Sequence, residues 1–311
     1  MKGYANKMMA VLTTIAMLVC SISLGSSADT YSVNTTLAYN VYDAKTGELI
    51  GDYTLTPNAF PTSNSSRIMI GDEDREIDYS KSGVVDLNTR YLQSSPNGGT
   101  GFVVDSHTIA TAAHCAWMPK AGTSWIEGPN IVTIESLVLY NSDGTTAKTV
   151  TNAVQIHIPK AYINNFDELS VRDNPYDYAL ITVTDDLTDF DCFELGVMRE
   201  EFKGSEVQVS MTGFPSEVDE LDTDGEMYTG IGKIVQNLGI HDVYRRVCYD
   251  VDTSKGNSGG PVYITTQYKK KEYYTVIAIH SAGDEDNNIN VGTRITTDLM
   301  HFYNNNPNIA Y

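Results

Sequence analysis

Gly256-Asn257-Ser258-Gly259-Gly260-Pro261 runs straight into Val262-Tyr263-Ile264-Thr265, so a glycine-rich bend opens a short strand. The same grammar, a turn and then five to nine residues rich in Val, Ile, Thr and Tyr, recurs along most of the chain. It is seen at Gly101–Val104, Thr108–Ala113, Ile131–Tyr140, Val150–Ile158, Tyr178–Val183 and Val207–Met211. It returns at Tyr228–Val235, Arg246–Val251, Pro261–Thr265, Tyr273–His280 and Val291–Ile295. Turn signals such as Asn141-Ser142-Asp143-Gly144 separate the runs, and Lys269-Lys270-Lys271 reads as a hairpin tip. Helical periodicity is nearly absent until the tail. There Thr297 can cap a helix carrying Leu299, Met300, Phe302 and Tyr303, stopped by Asn304-Asn305-Asn306-Pro307. The expected fold class is all-β, two packed barrels or sandwiches with one C-terminal helix.

At 311 residues the chain suits one large or two small domains. It is 41% hydrophobic and 20% charged, which is ordinary for a folded protein. With 21 Lys plus Arg against 40 Asp plus Glu, the net charge is −19. Nucleic acid and anionic membrane both need basic surface, so neither is expected as a partner.

The N-terminus reads as an address. Lys2 and Lys7 precede the apolar stretch Met8–Leu24, and Ser26-Ser27-Ala28 offers small residues for cleavage. Residues 1–28 are therefore expected to be a signal peptide, the protein secreted, and no membrane association to remain after its removal. Residues 29–67 are expected to be a propeptide, ending in the polar tip Thr62-Ser63-Asn64-Ser65-Ser66-Arg67. Residues 68–311 form the working domain, expected as two barrels over roughly 68–190 and 191–311. Once Cys20 leaves, Cys115, Cys192 and Cys248 remain, so at most one internal disulfide can form.

Three places carry candidate chemistry. A nucleophilic serine needs a tight bend that exposes its hydroxyl, and backbone N–H groups aimed at the oxygen that becomes negative. Ser258 in its glycine-rich turn offers both, though a plain Gly-rich turn would look alike. Thr111-Ala112-Ala113-His114-Cys115 ends an apolar strand in a histidine, either a general base or a core histidine. Asp177 opens the apolar strand Tyr178–Val183 and can orient an imidazole or merely end the Asn174-Pro175-Tyr176 turn. The order His, Asp, Ser is one of the known triad orders.

Taken together, these stretches resemble the chymotrypsin-like serine peptidases, whose three signatures match TAAHC, DYALI and GNSGGP in order across about 68–311. The resemblance implies a double β-barrel with a C-terminal helix and the site between the barrels. It implies His114 as base, Asp177 as its partner, Ser258 as nucleophile, and the N–H groups of Gly256 and Ser258 as oxyanion hole. Thr253, His280, Ser281 and Gly283 line the implied specificity pocket. Thr253 and His280 look like the glutamyl endopeptidase branch, the secreted bacterial enzymes of staphylococcal and bacilli type. A hydroxyl and an imidazole can both donate to a carboxylate. Ile68-Met69-Ile70-Gly71-Asp72-Glu73-Asp74-Arg75 resembles the start of mature enzymes in that branch, which implies that the α-amino group of Ile68 helps hold the substrate acid.

The expectation is a monomeric, extracellular bacterial endopeptidase acting on proteins or peptides after Glu, then Asp. An Arg-specific peptidase would activate it, and no cofactor or metal is expected. Two alternatives stand beside it: a narrow-specificity peptidase of the exfoliative-toxin type, and a non-catalytic binding protein on the same fold. Cys115 lacks the upstream partner common in the branch, since Asn97-Gly98-Gly99 stands there.

Overall fold

The computed structural model describes residues 35–57, 75–91, 96–117, 132–164, 174–197, 207–218, 221–222, 225–235, 246–284 and 289–304. The expected signal peptide and the Arg67–Ile68 junction lie outside them. Two curled, largely antiparallel sheets build a chymotrypsin-like, double-barrel β fold.

Among the described residues the first sheet has nine strands. They are β1 (Thr35–Asp43), β2 (Leu49–Pro57), β4 (Val84–Tyr91), β5 (Pro96–Asp105), β6 (Thr108–Thr111), β7 (Val132–Tyr140), β8 (Thr146–Val150), β9 (Ala153–Pro159) and β10 (Ala179–Val183). Their order across the sheet is β2-β1-β9-β10-β6-β5-β4-β7-β8. The second sheet holds β3 (Glu76–Ile77), β11 (Glu194–Leu195), β12 (Gln208–Gly213), β15 (Tyr228–Lys233), β16 (Arg246–Tyr249), β17 (Pro261–Tyr268), β18 (Lys271–Asp284) and β19 (Ile289–Arg294). It runs β16-β19-β18-β17-β12-β15-β3, with β11 set parallel against β18. A two-residue pair, β13 (Glu217–Val218) and β14 (Leu221–Asp222), stands apart.

Most expected strands are found. Val150–Ile158, expected as one strand, is two: β8 ends at Val150 and β9 starts at Ala153. Thr151-Asn152, which belong to neither strand, divide it, hidden because the residues on both sides favour strands equally. The hairpin tip at Lys269-Lys270 is as expected, the two residues taking φ of 49° and 66°, as a two-residue hairpin turn requires. The C-terminal helix is α3 (Thr297–Asn304), after the short α1 (Ala113–Ala116) and α2 (Lys160–Asn164). Phe302 of α3 is fully buried and meets Tyr39 and Tyr178 edge-on at 5.1 and 5.4 Å. This helix is thus clamped back onto the first barrel.

Residues 35–57 lie within the segment expected to be cleaved away, yet they are an integral hairpin of the first sheet. β1 pairs with β9 from Tyr39↔Pro159 to Asp43↔Gln155. Tyr39, Val41, Tyr42 and Ala44 are buried in the core. Asp52 forms an ion pair with Lys160 of α2.

Candidate active site

Sheet register explains how His114 and Asp177 meet. β6 and β10 pair antiparallel with Thr111 opposite Ala179. The chain leaving β6 and the chain entering β10 are therefore at the same end of the pair, three and two residues from those partners. His114 falls in α1, a single helical turn begun by Ala112-Ala113, whose small side chains allow the tight bend. Asp177 arrives from an Asn174 turn, in which Asn174 Oδ1 accepts from Tyr176 N–H at 3.1 Å and Asn174 C=O accepts from Asp177 N–H at 3.2 Å. The turn reading and the functional reading of Asp177 thus hold together: the turn delivers the carboxylate.

That carboxylate is fully buried and grips His114 twice. Its Oδ1 accepts from His114 N–H at 2.9 Å, and its Oδ2 lies 2.8 Å from His114 Nδ1. The hydroxyl of Ser281 donates to the same Oδ2. A buried carboxylate is costly unless such donors surround it. Burial of the His114 ring disfavours its charge, but the adjacent Asp177 carboxylate outweighs this and raises its pKa above the ordinary 6.5. The other ring nitrogen, Nε2, is buried and makes no hydrogen bond among the described residues.

Ser258 comes from the second barrel, three residues ahead of β17. Its bend needs two glycines. Gly256 has φ +92°, and a Cβ there would lie 2.1 Å from Phe214 O. Gly259 has φ +86°, and a Cβ there would lie 2.1 Å from Thr100 O. The loop is tied across the cleft to the first barrel. Thr100 N–H donates to Ser258 C=O at 2.7 Å, Thr100 Oγ1 donates to Gly256 C=O at 2.8 Å, and the thiol of Cys115 reaches Ser258 C=O at 3.4 Å. Ser258 is thereby fixed beside the turn that carries His114. Arg75 adds a tie, its Nη1 donating to Ser254 Oγ at 3.1 Å and Asn257 Oδ1 at 3.4 Å.

The residues expected to line a specificity pocket follow the same frame. His280 is joined to the serine loop twice: Gly259 N–H donates to His280 C=O at 2.8 Å, and His280 N–H donates to Gly260 C=O at 2.9 Å. Thr253, His280, Ser281 and Gly283 are all buried beside this loop. Thr253 Oγ1 donates to Asn290 Oδ1 at 2.7 Å, and Asn290 Nδ2 donates to Val251 C=O at 2.6 Å. Tyr249 Oη lies 2.5 Å from His280 Nδ1. Ser281, expected at the substrate, turns its hydroxyl to Asp177 instead. Ile68 lies outside the described residues. Sequence reasoning missed Thr100, Tyr249 and Asn290, because an isolated Thr, Tyr or Asn on a strand carries no local signal of a partner far along the chain.

The remaining histidines with described side chains are structural: His107 Nδ1 lies 3.0 Å from Asp185 C=O, and His157 is buried in the first barrel. Cys115, Cys192 and Cys248 are all free of disulfides. Among the described residues no group of three or more His, Cys, Asp or Glu is placed to hold a metal, and no helix is long and apolar enough to cross a membrane.

A family model for the trypsin-like peptidase domain matches residues 99–267. Among solved structures, the chain is similar to a Glu endopeptidase in complex with MPD, at 17% identity and a TM-score of 0.58, covering 78% of this chain and 100% of that one. It is also similar to a scabies mite inactivated protease paralogue, S-I1, at 14% identity and a TM-score of 0.51, covering 74% of this chain and 97% of that one. No curated protein matches it in sequence.

Proposed function

This chain belongs to the trypsin-like peptidase family, and we propose that it is a secreted serine endopeptidase that cuts after Glu, and less readily after Asp. The observation that carries the peptidase reading is the buried Asp177 holding His114 at 2.9 and 2.8 Å, beside a serine loop bent by a glycine at φ +92°.

The chemistry follows from those positions. Ser258 Oγ attacks the scissile carbonyl carbon while its proton passes to His114 Nε2. The carbonyl oxygen, now negative, is held by the N–H groups of Gly256 and Ser258. Asp177 keeps Nδ1–H in place and stabilises the imidazolium. His114 then gives its proton to the departing amine as the C–N bond breaks, leaving an acyl-enzyme. Water attacks this ester, its proton taken by His114, and the acid leaves with Ser258 restored. These steps are common to serine hydrolysis in general; what is particular here is the acid-binding side. His280 lies beside the serine loop and supplies a ring N–H donor suited to a carboxylate, while Thr253 is tied to Asn290 next to it.

Maturation is part of the proposal. Residues 1–28 direct export, and a cut between Arg67 and Ile68 by an Arg-specific peptidase frees the Ile68 amino group to help hold the substrate acid. An enzyme selective for acids would not make that cut itself. Replacing Arg67 is expected to block maturation; normal maturation of the variant would remove this part of the reading.

Labelling tests the triad. A fluorophosphonate is expected to modify Ser258 in the cut protein, to fail on Ser258→Ala, and to react far more slowly with His114→Ala. Absence of labelling in the cut wild-type protein would instead favour a binding protein on this fold.

A further inference from the structure

Tyr249 and His280 meet on one face of the second sheet, and Thr253 is bonded to Asn290 of the strand between them. In the register of β16, β19 and β18, Tyr249 lies opposite Asn290, which lies opposite Gly283, while His280 lies opposite Gly292. Side chains two apart on a strand share a face, so Tyr249, Asn290, Gly292, Gly283 and His280 all present to the same side. Gly292 and Gly283 contribute no side chain there. That leaves the phenol of Tyr249 a diagonal path across β19 to the imidazole. The two rings stand 6.1 Å apart at 61°, and Oη meets Nδ1 at 2.5 Å. Both residues are fully buried.

We propose that Tyr249 is a specificity-determining positioning residue: its phenol holds Nδ1 of His280 and so commits Nε2, carrying the proton, to the carboxylate of the substrate. The proposal rests on the acid-pocket reading above and says which atom does the recognising.

Hydrogen-bond roles lead there. With Nδ1 engaged by the phenol, Nε2 is the ring atom that can face a ligand. A carboxylate only accepts, so Nε2 must carry a hydrogen. In the neutral ring that makes Nδ1 an acceptor, which the phenol O–H satisfies as donor. In the imidazolium Nδ1 becomes a donor, which the phenol oxygen satisfies as acceptor. A phenol can therefore serve both states, and burial keeps the Tyr249 hydroxyl protonated by raising its pKa well above the usual 10. Thr253 complements this. Its single proton is given to Asn290 Oδ1 at 2.7 Å, and Asn290 is held in that orientation by its bond to Val251. The Thr253 hydroxyl is thus committed before any ligand arrives, and His280 becomes the principal donor to an acid.

The test compares wild type and Tyr249→Phe on matched peptides with Glu or Gln before the cut, with fluorophosphonate labelling of Ser258 as control. Phenylalanine keeps the ring and removes only the hydroxyl. The expected result is a Glu-over-Gln preference lower by about tenfold or more, through a higher KM for Glu, with the Gln peptide and the labelling rate unchanged. A wild type that prefers Glu and a variant that prefers it equally would overturn this inference while leaving the acid pocket standing. A wild type indifferent to Glu would overturn both. The ¹⁵N shifts of His280 give a second reading without any variant. A neutral ring protonated at Nε2 agrees with the proposal, and one protonated at Nδ1 contradicts it.

Discussion

At His114 two demands pull in opposite directions with pH. Burial opposes the charge on its ring, but Asp177 prevails and raises its folded pKa above 6.5. Between 6.5 and that folded value the native state therefore holds a proton the unfolded chain has released. The stability this adds is fully present below about pH 6.5 and is lost as pH rises through the folded pKa. A general base needs the opposite, the neutral ring, so kcat/KM is expected to climb with pH with a midpoint above 6.5. Asp177→Asn should move that midpoint down and cut kcat by about 10⁴-fold; a pH–rate profile of both proteins checks this. Gly256→Ala should be as damaging in another way. Its Cβ would lie 2.1 Å from Phe214 O, at a φ of +92° that alanine avoids, so the loop must shift and carry the proposed oxyanion donors with it. The expected outcome is loss of turnover with His114 and Asp177 intact, read by single-turnover kinetics. These residues were legible in the sequence because each sits in a short motif with its own chemical reason. Tyr249 and Asn290 were not, since their roles emerge only when β16, β19 and β18 are laid side by side.

The hairpin β1–β2 shows how an element can contradict the composition of its own segment. A stretch rich in Thr, Asn and Tyr ahead of a polar tip reads as removable, but its alternation puts Tyr39 and Val41 on the core side. Burying large side chains is worth about 1.5–3 kcal/mol each. For Tyr39, Val41 and Tyr42 together that is a sizeable share of a typical total stability of about 5–15 kcal/mol. Deleting 35–57 should leave the edge of β9 open and Phe302 uncovered, giving an aggregating or unfolded product by thermal melting. A cut after Arg67 should leave the hairpin bound, so that two pieces run apart in denaturant but elute together without it. β9 carries a second prediction. Burial lowers the pKa of His157 to about 3 from 6.5, so the unfolded chain binds the extra proton between those values. Stability is full above pH 6.5 and is lost as pH falls toward 3. A neutral replacement of similar size, His157→Gln, should flatten the acid side of a Tm-against-pH curve.

Across the whole molecule the charge of −19 works against the proposed substrate. Residues 1–67 hold four basic and four acidic side chains, which cancel, so all of the net charge lies on residues 68–311. Acidic peptides must approach through that field. Salt screens it, with a Debye length of about 8 Å near physiological strength, while the fully buried His280 is screened far less. Raising salt should therefore increase kcat/KM for acidic peptides and change little for neutral ones; a flat or falling rate for acidic peptides would contradict it. The most direct measurement of the central claim is the cleavage pattern of a mixed peptide library. It would use the full chain after its cut at Arg67, with the activating peptidase inhibited and Ser258→Ala treated alike. Cuts are expected almost only after Glu, with Asp a minor second, and none from the Ser258→Ala protein. Cuts after other residues, or cuts that survive in Ser258→Ala, would contradict an acid-selective serine peptidase.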